Sequence, residues 1–162
     1  WMLEELQFKP IKEKGILFKY TIVGEGEMFE ALSYIIYSLN LTEYVDLVGK
    51  KSREEVKNLL LEHDMYIQYS ISEGFCNAVL EAQAMGLLCI VSDGGALPEN
   101  VIDNKTGWIV PKKNPAMLAE KIIEVLSLPL DIKLQIRASA QQRIIREFNL
   151  EKQQKDFVKF YN

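Results

Sequence analysis

Residues 87–91 read Leu-Leu-Cys-Ile-Val, an apolar run with no polar member. A strand with one wet face alternates apolar and polar residues; an unbroken run belongs to a strand covered on both faces. Such strands occur in parallel sheets, whose crossover connections lay helices on each side. That run restricts the chain to a layered helix–sheet–helix arrangement, for which the remaining sequence must supply further strands and the helices that cover them.

The flanking sequence does so in alternation. Phe18 to Val23 is rich in aromatic and β-branched residues and is expected to be a buried strand, closed by Gly24-Glu25-Gly26. A Gly-x-Gly after a strand suggests a dinucleotide fingerprint, but Phe29 stands where that motif needs a third small residue, so a tight strand-to-helix turn is favoured. Met28 to Leu39 sets Phe29, Leu32, Ile35, Ile36 and Leu39 at helical spacing. Val45 to Val48 is a short strand closed by Gly49. Ser52 and Glu55 then form a capping box for a helix with Val56, Leu59 and Leu60 on one face. Met65 to Tyr69 is the next strand and Asn77 to Met85 the next helix, with Asn77 read first as its N-cap.

After the apolar run, Gly107 to Val110 supplies another strand. Asn114-Pro115 has the pattern of an N-cap followed by Pro at the first helical position, for a helix reaching Leu128 and stopped by Pro129. Helices are expected over 131–147 and 151–161. Residues 1–7, WMLEELQ, read as the tail of a helix already under way, so further residues are expected upstream. The fold class is α/β: a doubly wound parallel sheet with helices on both faces and right-handed crossovers. Ligands in such sheets sit beyond the carboxyl ends of the strands. The turns at Gly24, Gly49, Ser70–Asn77 and Asp93–Pro98 all fall on that edge.

With 162 residues, 48% hydrophobic and 26% charged, the chain can bury a core as one domain. A net charge of -4 with scattered Lys and Arg argues against nucleic acid, which needs a concentrated basic face. No apolar run approaches the ~20 residues of a membrane span. Two cysteines, Cys76 and Cys89, read as reduced thiols of a cytoplasmic protein. The single histidine, His63, excludes most His-based metal sites and suits the end of a helix.

The chemistry concentrates between Met65 and Pro98. Gly74 permits a sharp turn, and Phe75-Cys76-Asn77 leads into a helix whose first amides lack internal partners, the arrangement that binds phosphate. Glu73 lies just before that helix and Glu81 inside it. A carboxylate beside an anion site repels phosphate and makes sense facing sugar hydroxyls. Two carboxylates flanking such a site could hold the two sugars of a nucleotide sugar.

SEGFCNAVLEAQAMG, VSDGGALPENV and NKTGWIVP together resemble the C-terminal domain of GT-B-fold retaining glycosyltransferases of group 1, from the TIVGEGE turn through the PAMLAEKIIEVL helix. The resemblance implies that residues 1–162 are one Rossmann-like nucleotide-sugar-binding domain of a longer two-domain chain. It implies that Glu73 meets the transferred sugar, that Gly74, Phe75, Cys76 and Asn77 line the sugar and diphosphate, and that Glu81 takes the ribose. Metal and cofactor are not expected; Glu25-Gly26-Glu27, the nearest pattern to Asp-x-Asp, reads as a solvated turn. The family's basic Arg and Lys pair for the diphosphate is expected just upstream of Trp1, and a glycan or lipid-linked acceptor on the N-terminal domain. Phe157 and Tyr161 are expected to face that domain or to pack on their own. Leu88 replaces a Pro common in the family. Two other readings stay open: a GT-B nucleotide-sugar epimerase, disfavoured by the single His and the Glu-x7-Glu pattern, and a non-catalytic flavodoxin-like association module.

Overall fold

The computed structural model describes residues 18–149 together with Gln154, Val158 and Lys159. Five strands alternate with helices: β1 (Tyr20–Ile22), α1 (Phe29–Ser38), β2 (Val45–Leu47), α2 (Arg53–Glu62), β3 (Met65–Gln68), α3 (Asn77–Ala84), β4 (Leu88–Ser92), β5 (Trp108–Val110), α4 (Pro115–Ser127) and α5 (Leu130–Glu147). A 3-10 turn, Leu97–Asn100, lies between β4 and β5. All the ladders are parallel: β1 pairs with β2, and β4 lies between β3 and β5. The helix tail expected at 1–7 and the aromatic pair Phe157 and Tyr161 lie outside the described residues.

Strand β4 is buried at every residue, as its composition requires. Its side chains alternate between two cores. Leu88 and Ile90 join Trp108, Val110, Leu118 and Val125 on one face, while Cys89 and Val91 join Val79, Ala82, Leu97 and Val101 on the other. Helices α1 and α4 thus cover one face and α3 the other, with α5 packed across α3, where Gln141 Nε2 donates to Ala84 O (3.1 Å).

Local signals explain the boundaries. Helix α2 starts at a complete capping box: Ser52 Oγ accepts from Glu55 N, and Glu55 Oε2 accepts from Ser52 N (2.8 Å). Asn114 Oδ1 accepts from Met117 N (3.2 Å) at the start of α4, and Pro129 separates α4 from α5.

One expectation is corrected. Strand β1 is half-buried rather than buried; beside it, α1 buries only Ile36, and Phe29 and Leu39 are exposed. The reason is that the sheet is split. Among the described residues no ladder joins β1 to β3, and a cleft of about 850 Å3 separates them. His63 bridges it at one point: Nδ1 lies 2.6 Å from Leu59 O and Nε2 2.8 Å from Thr21 Oγ1. With the proton on Nδ1, the ring donates to the last turn of α2 and accepts from the Thr21 hydroxyl.

Candidate functional site

The loop from Ser70 to Cys76 leaves the carboxyl end of β3 and enters α3, and a second loop, Asp93–Ala96, leaves the adjacent end of β4. The two loops meet backbone to backbone. Ala96 N donates to Glu73 O (2.9 Å), and Ser92 Oγ donates to Ser70 O (2.6 Å). A Cβ on Gly94 would fall 2.1 Å from Ser70 O, and one on Gly95, at φ +62°, 2.2 Å from Glu73 O. Only glycine allows this approach. The Gly-Gly pair therefore serves to seat the Glu73 loop.

Glu73 is half-buried, and its carboxylate closes a line of polar side chains along β3. Tyr66 donates its hydroxyl to Gln68 Oε1 (2.7 Å), Gln68 Nε2 donates to Ser70 Oγ (3.0 Å), and Ser70 Oγ donates to Glu73 Oε2 (3.2 Å). Residues 66, 68 and 70 share one side of the extended chain, and every bond in the line is oriented towards the carboxylate. Burial, reinforced by the nearby Cys76 and Cys89, pushes the Tyr66 phenol above its ordinary value, so it stays a donor. The line orients one oxygen of Glu73, Oε2, and leaves Oε1 without a hydrogen-bond partner among the described residues.

Beyond Glu73 the loop turns into α3. Among the described residues the amides of Gly74 and Phe75 have no hydrogen-bond partner. The Cys76 amide does: it donates to Asn100 Oδ1 (3.1 Å), while Asn100 Nδ2 donates to Cys76 O (2.9 Å). Of the amides of Gly74, Phe75 and Cys76, this one is therefore already engaged. Asn77 is not the N-cap. Cys76 occupies that position without a side-chain cap, and Asn77 is the first helical residue, exposed. The buried Asn100 has replaced a local cap with a bond from 24 residues away. Glu81, on α3, is exposed at the cleft and makes no hydrogen bond among the described residues.

Helix α5 braces this arrangement from behind. The buried Arg143 donates through Nη1 to Asn100 O (2.7 Å) and through Nη2 to Glu99 O (2.8 Å). Its Nε meets Glu147 Oε2 (2.9 Å), and bonds from Arg146 and Arg143 hold the Glu147 carboxyl below its usual range. The Arg143 guanidinium also stands 5.0 Å from the Phe148 ring centroid, and Phe148 lies 5.5 Å from Phe75. Gln83, likewise buried, donates to Asn100 O (2.8 Å). Asn100, Arg143 and Gln83 carry no sequence signal of this role, because each acts on a backbone group distant in the chain. Among the described residues no three His, Cys, Asp or Glu side chains group as a metal site, and no helix is long and apolar enough to cross a membrane.

A parallel α/β sheet covered by helices on both faces, with its loops meeting at the carboxyl edge, defines a class, the doubly wound α/β domains. Residues 6–144 match the family described as Glycosyl transferases group 1, and the chain belongs to it. It is 31% identical over 145 residues to the amylovoran biosynthesis glycosyltransferase AmsK of Erwinia amylovora, covering 86% of this chain and 35% of AmsK. It is 29% identical over 147 residues to the putative colanic acid biosynthesis glycosyltransferase WcaL of Escherichia coli K12, covering 87% of this chain and 36% of WcaL. The chain thus spans about a third of the length of these curated relatives.

The solved glycosyltransferase of Rickettsia africae superposes with a TM-score of 0.84 at 27% identity, over 99% of this chain and 42% of that one. The C-terminal domain of the group 1 family protein LpcC from Francisella tularensis gives 0.79 at 19% identity, over 92% of this chain and 78% of that domain structure. Anabaena HepE, solved in complex with UDP-glucose, gives 0.78 at 20% identity, over 89% of this chain and 41% of HepE. The fold is the Rossmann-like C-terminal half of a GT-B glycosyltransferase.

Proposed function

We propose that this chain is the donor-binding part of a retaining glycosyltransferase that moves a sugar from a nucleoside-diphosphate sugar to a glycan or glycoconjugate. One observation carries the reading. A carboxylate held by one oxygen, Glu73, directly precedes two unpartnered amides, Gly74 and Phe75, at the start of the helix that bears Glu81. Sugar hydroxyls donate to Glu73, the diphosphate lies on the free amides and the positive end of α3, and the ribose hydroxyls donate to Glu81. Asn77, exposed in the first turn, is placed to donate its side-chain amide to the same diphosphate. Charge developing on the leaving diphosphate is then met by fixed donors, the usual main term in such catalysis. No metal or cofactor is required by this arrangement.

HepE was solved with UDP-glucose, which makes a uridine nucleotide the first donor to try. AmsK and WcaL bear names in amylovoran and colanic acid biosynthesis, which supports a surface polysaccharide as the product class. The acceptor is held mainly by a part of the full-length protein outside this chain. The work is cytoplasmic, at the inner membrane face where the acceptor is lipid-linked.

Titration of the chain with uridine, guanosine, adenosine and cytidine diphosphates, followed by ligand-observed NMR, tests the donor site. Selective binding of one nucleotide, weakened in Glu81→Ala with folding intact, is the expected result. Silence across the panel, repeated with the full-length protein, would overturn the reading in favour of an association module. Retention is read separately, from the anomeric configuration of the product made by the full-length enzyme.

A further inference from the structure

We propose, resting on the donor-site reading above, that Phe148 at the end of α5 is a positioning residue. Through the ring of Phe75 it sets the direction of the two amides that precede α3. The loop is pinned on either side of them. Glu73 O accepts from Ala96 N (2.9 Å), and Cys76 is held at N and O by Asn100. Between these points no main-chain bond fixes Gly74 or Phe75 among the described residues. Gly74 adds no crowding either, since even a Cβ there would meet nothing within 4 Å. A peptide plane next to such a glycine turns readily about the flanking φ and ψ, and an amide that turns away no longer donates to a ligand.

What restrains the plane is the side chain of Phe75. It is exposed, yet its ring stands 5.5 Å from that of Phe148, tilted by 35°, a separation at which aromatic rings attract. Phe148 is itself fixed from two sides. Its amide donates to Ile144 O (3.0 Å) in the last turn of α5, and the Arg143 guanidinium lies 5.0 Å from its ring centroid, drawn to the π face. Arg143 is tied in turn to the carbonyls of Glu99 and Asn100. A Phe75 ring seated on this partner keeps its rotamer, and the rotamer limits the backbone angles that Phe75 can adopt. Turning the 74–75 peptide would pull the ring off Phe148.

The order of the site says which part of the ligand feels this. Glu73 is assigned to the sugar and Glu81 to the ribose. The amides next to Glu73 therefore meet the phosphate that carries the sugar, which is the terminal one of a nucleoside diphosphate. Phe148 acts on that phosphate and leaves the nucleoside end alone.

Calorimetric titration of the full-length protein with the mono- and diphosphates of uridine, guanosine, adenosine and cytidine tests this. For the base that binds, the parent should hold the diphosphate more tightly than the monophosphate. In Phe148→Leu the diphosphate affinity should fall about 3–10-fold with the monophosphate affinity unchanged, and Phe148→Tyr, which keeps the ring, should match the parent. Phe75→Leu should show the same loss, and the double variant no more than either, because the two residues act in series. Undiminished diphosphate preference in Phe148→Leu, an equal loss for both nucleotides, or additive losses in the double variant would overturn the role. If Phe148→Leu does not fold, Phe75→Leu decides alone, and an undiminished preference there overturns it. A parent that binds no nucleotide, or each monophosphate as tightly as its diphosphate, would instead overturn the donor-site reading itself.

Discussion

Asn100 holds the backbone of Cys76 at both ends of its side-chain amide, accepting from N at 3.1 Å and donating to O at 2.9 Å. The amide that fixes the start of α3 thus belongs to the turn after β4, and that turn is gripped in its own right by Arg143. Helix α5 therefore braces the start of α3 through the turn that follows β4.

Replacing Asn100 by Ala should remove both bonds and leave the Cys76 amide without its acceptor, while the Cys76 carbonyl keeps its bond from Val79 N. A stability loss of about 1–3 kcal/mol is expected, with nucleotide affinity falling further than that loss explains because the α3 start is released. Urea unfolding beside a nucleotide titration of the still-folded variant separates the two effects. Unchanged affinity would show that Asn100 serves stability alone.

The polar line on β3 predicts a split between two ligands. Gln68→Leu interrupts the bonds that join Tyr66 to Ser70 and frees Glu73 to rotate. Affinity for the intact sugar nucleotide should fall several-fold while that for the free nucleoside diphosphate stays the same, since Glu73 is assigned to the sugar. Calorimetry with both ligands checks this, and an equal loss for both would remove the line from sugar recognition.

Gly95→Ala should be poorly tolerated. The added Cβ meets the Glu73 carbonyl at 2.2 Å and the backbone adopts φ +62°, so neither a rotamer change nor a side-chain shift relieves it. A cost of about 2–4 kcal/mol corresponds to a drop of roughly 5–15 °C in Tm, measurable by scanning calorimetry. A Tm within a degree of the parent would mean that the two loops separate freely.

Burial pushes the Cys89 thiol from 9.0 up to about 12. Because the folded value is raised, the neutral thiol contributes stability below about pH 9, and that contribution is lost as pH rises from there to about 12. Cys89→Ala should flatten the alkaline part of the stability curve. At pH 8 iodoacetamide should modify the half-buried Cys76 in preference to Cys89; equal labelling by mass spectrometry would contradict the burial argument.

Much of the fold was legible because its signals are local. The run at 87–91, the capping box at Ser52 and the Asn114-Pro115 pair each act within a few residues, and each forms as its chemistry requires. Helical spacing gathered the apolar residues of α1 but could not tell how few of them are buried, because periodicity says which residues share a side, not whether a core exists there to receive them. The expectation that Asn77 caps α3 failed for a related reason: a distant Asn100 outcompeted the local choice. Glu73, Glu81 and the glycines stand out in sequence, while Arg143, Gln83 and the direction of the Tyr66–Gln68–Ser70 line emerge only when the chain is folded.

The contact of the Gly94-Gly95 turn with the Ser70–Glu73 loop has a consequence for the thermodynamics of ligand capture. Two loops joined by a main-chain bond, with the glycines pressed against the opposite backbone, lose their independent freedom when the protein folds. On the proposed function, a ligand arriving at Glu73 faces little further ordering of the backbone, so its affinity is spared a penalty of about 1–2 kcal/mol per residue newly fixed.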